Sequence, residues 1–168
     1  MKTMKLLAAA TIAMGAMQAQ AITTSWATHD AIEFGDDKVK PGIFEDSFEF
    51  SLASLSSLMA TAVSNNLGQA FNIDDGKVQL YQVAPGPDLL VGSFNFDGTT
   101  GSTPNSFNAL TAGDYYYLVS GAATGHAGGW YSLSSAVAAV PEPHTAVLLL
   151  AGLGALGVVA RRRRPSQP

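Results

Sequence analysis

The stretch Asp46-Ser47-Phe48-Glu49-Phe50-Ser51-Leu52 decides the fold class. Phe48, Phe50 and Leu52 alternate with Ser47, Glu49 and Ser51. Residues two apart lie on the same side of a β-strand, so the pattern predicts a half-buried strand with an apolar inner face and a wet outer one. A second stretch, Tyr115-Tyr116-Tyr117-Leu118-Val119, reads the same way with a difference. Tyr115, Tyr117 and Val119 share one face and Tyr116 and Leu118 the other, which predicts a central strand, apolar on both sides.

Outward from these two, short β-rich stretches recur at Asp30–Phe34, Ser57–Asn65, Lys77–Val83, Leu89–Phe96, Ser106–Leu110 and Gly129–Val137. The two opening stretches extend to Asp46–Ala53 and Tyr115–Gly121. Turn chemistry separates them: Asn65-Asn66-Leu67-Gly68, Asp74-Asp75-Gly76, Pro85-Gly86-Pro87-Asp88, Asp97-Gly98 and Ala112-Gly113-Asp114. Helical periodicity is nearly absent from Ile22 to Val140. Some seven or eight short strands at this spacing predict an all-β domain over residues 22–140, a β-sandwich of jelly-roll or immunoglobulin-like type.

The chain has 168 residues, room for one ordinary domain, with 9 basic and 13 acidic side chains and a formal charge of −4. The charge is segregated. Between Ile22 and Val140, Lys38, Lys40 and Lys77 stand against twelve acidic residues, a formal −9. Nucleic acid is therefore not an expected partner, because phosphate binding needs clustered Lys or Arg. The chain has no cysteine, which excludes disulfides, thiolate metal sites, cysteine nucleophiles and lipoprotein anchoring.

Both ends read as addresses. Lys2 and Lys5 precede the apolar run Leu6–Met17, and Ala19-Gln20-Ala21 places small residues where a signal peptidase reads them. Residues 1–21 are therefore expected to be a secretory signal peptide and Ile22 the mature start; the competing reading is a buried N-terminal helix. At the other end Pro141-Glu142-Pro143 is followed by an uncharged run, Ala146–Ala160, and then by Arg161, Arg162, Arg163 and Arg164. Fifteen helical residues span about 22 Å, short of a hydrocarbon core, but arginine stems extend the reach by snorkelling. The expectation is one transmembrane helix over 144–160, with a basic tail over 161–168 kept cytoplasmic by the positive-inside rule.

This order of motif, helix and basic tail closely resembles the PEP-CTERM sorting signal of Gram-negative bacteria over about the last 29 residues. The resemblance implies a single-pass precursor in the inner membrane, processing by an exosortase near Pro141-Glu142-Pro143, and delivery to the cell surface or extracellular matrix. It also implies an association with exopolysaccharide and biofilm. A plain membrane anchor is the simpler alternative. Phe44-Glu45-Asp46-Ser47-Phe48 further resembles the Phe-x-Asp-x-Phe pattern of the FxDxF group of PEP-CTERM proteins. Leu110–Gly121 looks like that group too, and like the closing strands of bacterial pre-peptidase C-terminal domains. The group carries no assigned enzymatic activity. The structural reading of Asp46 is a carboxylate that satisfies turn or strand-end amides beside Phe44 and Phe48.

A search for chemistry yields candidates with plain alternatives beside them. His29, His126 and His144 have no second histidine at metal spacing, and Gly-x-Ser-x-Gly and Ser-x-x-Lys motifs are absent. An enzyme is not expected; a hydrolase using His29 or His126 is the last-ranked reading. Asp74, Asp75 and Asp97 offer oxygen ligands for calcium, or simply make turns. No other cofactor is expected. Trp130 and Tyr131, with Trp26 and Tyr116 behind them, are candidate sugar-stacking rings of a carbohydrate-binding module, or core.

Overall fold

The computed structural model describes residues 20–139, together with 149–153 and 156. Among the described residues nine strands form: β1 (Thr23–Thr28), β2 (Ile32–Val39), β3 (Gly42–Leu52), β4 (Ser56–Ser64), β5 (Ile73–Gln82), β6 (Leu89–Asn95), β7 (Asn105–Leu110), β8 (Gly113–Ala123) and β9 (Gly129–Ala139). One 3-10 turn, Thr100–Ser102, precedes β7. The strands make a five-stranded sheet in the order β1-β3-β8-β5-β6 and a four-stranded sheet in the order β2-β9-β4-β7. The domain is all-β and built of two sheets. Four of its antiparallel pairs are nested, β2 with β9, β3 with β8, β4 with β7, and β5 with β6, while β4–β9 and β5–β8 join them into the sheets. β1 stands outside this nest, parallel to β3 on the sheet edge.

The core lies between the sheets. Phe44, Phe48, Phe50 and Leu52 of β3 and Tyr115, Tyr117 and Val119 of β8 face inward from one side. Leu58, Ala60 and Ala62 of β4 and Tyr131 and Leu133 of β9 close it from the other. Both alternations read from the sequence hold: Ser47 and Ser51 are half-buried and Glu49 is exposed on the outer face of β3. Contact between the sheets is close at Gly35 of β2, where any Cβ would run into the Phe48 ring.

Four expectations need correction. β1 was not expected; its Trp26 is the extra residue of a bulge between Ser25 and Ala27, and the indole packs on Phe48 at 5.2 Å between ring centroids. β2 runs past Phe34 to Val39, and β3 begins at Gly42. Asp46 therefore sits in mid-strand, not at a strand end. Asp74-Asp75-Gly76 does not separate strands. It is a bulge within β5, with Asp75 at φ 53 and the pairing to β8 shifting between Asp74 and Lys77. β8 is central, but Tyr116 and Leu118 on its outer face are only half-buried.

Most of the expected signal peptide lies outside the described residues, as do Pro141, Glu142, Pro143 and Arg161–Arg164. Within the expected transmembrane run, residues 149–153 and 156 are helical. Among the described residues no helix is long and apolar enough to cross a membrane.

Candidate functional site

Phe44, Asp46 and Phe48 alternate along β3 with even spacing, so all three point into the core. There they form a cradle around Tyr131 of the opposite sheet. Phe44 stacks on the phenol ring at 5.5 Å with 14° between planes, and Phe48 meets it edge-on at 6.4 Å. The Tyr131 hydroxyl donates to Asp46 Oδ2 at 2.7 Å. The other carboxylate oxygen, Oδ1, accepts the backbone N–H of Ile22 at 2.9 Å. Asp46 thus ties β3 to β9 across the sandwich and to the chain entering β1. The amide it satisfies is that of the residue directly before β1, at the end of a neighbouring strand and not in a turn.

Burial sets the electrostatics. Asp46 is 1% exposed, and loss of solvent pushes its carboxyl above the usual range despite the bonds from Tyr131 and Ile22, with Asp37 adding repulsion. Burial, reinforced by the Asp46 carboxylate, holds the Tyr131 phenol far above its ordinary value. Tyr131 therefore keeps its proton and donates a hydrogen bond to Asp46.

The two adjacent candidate glycan rings separate. Trp130 is 42% exposed, while Tyr131 is 1% exposed and withdrawn from any sugar. Neighbours in a strand face opposite ways, so the pair never acts together. Trp130 borders a surface depression of about 310 Å³ with Val63, Asn65 and Ser132. Trp26 is half-buried against the core; Tyr116 lies on the outer face of β8, stacked on Tyr81 at 5.2 Å. The Tyr116 hydroxyl donates to Asp88 at 3.1 Å, and partial burial followed by this carboxylate pushes its phenol up to about 12.

Asp74, Asp75 and Asp97 do come together, around one cleft of about 450 Å³. Asp74 and Asp97 are engaged within the chain. Asp74 accepts from Asn72 at 2.9 Å and from Thr124 at 3.0 Å. Asp97 Oδ1 accepts the hydroxyl and N–H of Thr99, both at 2.7 Å, and these bonds pull its carboxyl below the usual range. The arrangement around Asp97 is a side-chain-closed turn. Among the described residues no three His, Cys, Asp or Glu side chains are placed to hold a metal ion.

One constellation escaped the sequence. His29 Nε2 lies 2.9 Å from Ser135 Oγ, which also lies 2.9 Å from the Tyr117 hydroxyl. The other ring nitrogen, Nδ1, bonds the Asp30 carbonyl. The residues span 106 positions, so no local pattern announces the pair. It resembles a Ser–His dyad in connectivity but not in access, since Ser135 is 1% exposed and His29 is 7% exposed. It is a second polar tie between the sheets, from β8 to β9. His126, by contrast, lies on an exposed loop.

The chain is similar to several solved structures at low identity. A periplasmic inhibitor of g-type lysozyme from Aeromonas hydrophila is 12% identical, matching 70% of this chain and 99% of its own at a TM-score of 0.41. The pre-peptidase C-terminal domain of a Bacillus anthracis collagenase is 15% identical over 72% of this chain and 97% of its own, at 0.42. The module TmCBM61, solved with β-1,4-galactotriose, is 13% identical over 66% and 83%, at 0.38. No curated protein matches the sequence. A family model does: residues 139–164 match the PEP-CTERM protein-sorting motif. The match begins at Ala139, the last residue of β9. The chain thus carries a PEP-CTERM sorting motif directly after its folded domain, which implies an exported protein sorted by an exosortase.

Proposed function

We propose that this is a surface or extracellular-matrix protein, released from a single-pass inner-membrane precursor and associated with exopolysaccharide and biofilm. Residues 1–21 are its cleaved leader, 144–160 its transient membrane helix and 161–168 its cytoplasmic tail. The exported part is a non-enzymatic β-sandwich of the FxDxF group. The nested strand order favours a jelly roll over an immunoglobulin-like sandwich.

The observation that carries this reading is the sorting motif abutting β9. One residue, Val140, separates the last strand from Pro141-Glu142-Pro143. The sealed setting of Ser135 and His29 supports a role without catalysis. In cells lacking the exosortase, the full-length chain should accumulate in the inner membrane; delivery to the surface without it would contradict the proposal.

A second reading, carbohydrate binding, is favoured by the exposure of Trp130 beside its depression. Trp130→Ala should then lose retention on the organism's own exopolysaccharide without loss of fold. Unchanged retention would remove that residue from consideration.

A further inference from the structure

Asp46 is buried, and both of its hydrogen-bond partners, a peptide N–H and a phenol, are neutral. A buried carboxylate without a cation is costly. Its peptide partner is the N–H of Ile22, and Ala19-Gln20-Ala21 immediately precedes that residue. We infer that the Ala21–Ile22 bond is a maturation site whose cleavage supplies Asp46 with its missing cation, the α-ammonium of Ile22. The inference rests on the export reading, since it needs a signal peptidase.

The step is hydrolysis. One water adds across the Ala21–Ile22 peptide bond; the leader departs with a carboxylate on Ala21, and the nitrogen of Ile22 becomes an ammonium by taking a proton. That nitrogen already stands 2.9 Å from Asp46 Oδ1. No strand need move, because the Ile22 carbonyl is held by the N–H of Ser47 at 2.8 Å. A neutral bond becomes a charge-assisted one, roughly twice as strong. The bonds lost are those of Gln20: its carbonyl accepts Glu45 N–H at 2.8 Å, its N–H donates to the Ile43 carbonyl at 3.2 Å, and its side chain pairs with the Lys40 backbone at 3.1 and 3.2 Å, both at the surface. Gln20 is half-buried and Ala21 exposed, so water replaces the lost partners readily. The cradle of Phe44, Asp46 and Phe48 thereby gains a second role, as a lock for the mature N-terminus.

Tyr131 of β9 and Asp37 of β2 are the other ionisable groups facing this site, with Asp36 adding its charge from the outer face of β2. The two aspartates are acidic and favour the ammonium. Its pKa in the fold then lies above the ordinary α-amino value of about 8. The added stability is full below that value and is lost as pH rises through the raised one.

The test exports the full chain with its own leader in three forms: unaltered, Asp46→Asn, and with one glycine inserted between Ala21 and Ile22. Intact mass reads the first residue of each. The insertion moves the ammonium about 3.3 Å along the strand and leaves a neutral N–H on Asp46. Each altered form should unfold at about 1 M lower urea at pH 7, the size expected for one charged bond and an ordinary urea slope. Combining the two changes should add little. The unaltered chain alone should lose its advantage above pH 8. A chain beginning elsewhere than Ile22, or an insertion that leaves the midpoint unchanged, would overturn the inference. If Asp46→Asn fails to fold, the insertion still decides. A start at Ile22 with Arg161–Arg164 retained would defeat the sorting proposal and leave this one standing.

Discussion

Asp46 and Asp97 each accept two hydrogen bonds, yet their carboxyls move in opposite directions. Asp97 lies on the surface, where the hydroxyl and N–H of Thr99 favour the charged form and pull it down. Asp46 lies between aromatic rings, where lost hydration outweighs its two bonds and pushes it up. The difference comes from burial in the core strand β3 against exposure on the loop after β6, not from the number of partners. A carboxylate in phase with Phe44, Phe48 and Phe50 is carried into the core whatever its preference, and the structure has to meet it there with a phenol and an amide. One on the loop after β6 stays wet and closes a turn.

That contrast can be pressed in several ways. The largest effect should come from emptying the cradle. Phe44→Ala removes the ring stacked on Tyr131 and should cost about 3–5 kcal/mol, read by urea unfolding. Next is Tyr131→Phe, which keeps the ring and deletes the donor to Asp46; a loss of about 1–3 kcal/mol is expected. Gly35→Ala tests the close approach over Phe48, and a strained core contact of this kind should cost about 1–3 kcal/mol. Asp97→Asn should have the smallest effect on the thermal midpoint, because its carboxylate closes an exposed turn. If Asp97→Asn proved as damaging as Tyr131→Phe, burial would not be what separates the two acids.

The two carboxylates should also part company in acid. Asp97 is lowered in the fold, so its stabilisation is present above the ordinary value of 3.8 and is lost as pH falls through the depressed one. Asp46 with a peptide N–H as its partner is raised, so its penalty is relieved as pH falls toward 3.8. Comparing Asp97→Asn and Asp46→Asn with the parent chain across pH 3 to 7 separates the contributions. This is cleanest in the glycine-insertion form, where Ile22 keeps its peptide nitrogen.

The alternations in β3 and β8 were legible because bulky apolar and polar residues alternate there. β1 was not: Trp26 is its one large apolar residue, and the bulge at that position breaks the period. The Asp74-Asp75-Gly76 bulge was read as a turn because both structures favour Asp and Gly, and Asp75 takes the left-handed conformation in either. Tyr131 and Trp130 read as sugar-stacking rings or as core, and Leu133 lies two residues beyond Tyr131. That period-2 relation places Tyr131 on the inner face and was the available signal. The tie from Asp46 to Tyr131 spans 85 residues and the one from His29 to Ser135 spans 106, so neither is written in any local pattern. The sorting motif is the opposite case. It is a contiguous address, legible in the sequence and matched at residues 139–164.

The most direct test of the account is to fractionate native producing cells and read both termini of the protein by mass spectrometry. A chain that begins at Ile22, ends near Pro141–Pro143 and lies outside the inner membrane is the predicted result. A chain that still carries Arg161–Arg164 and stays in the inner membrane would contradict it.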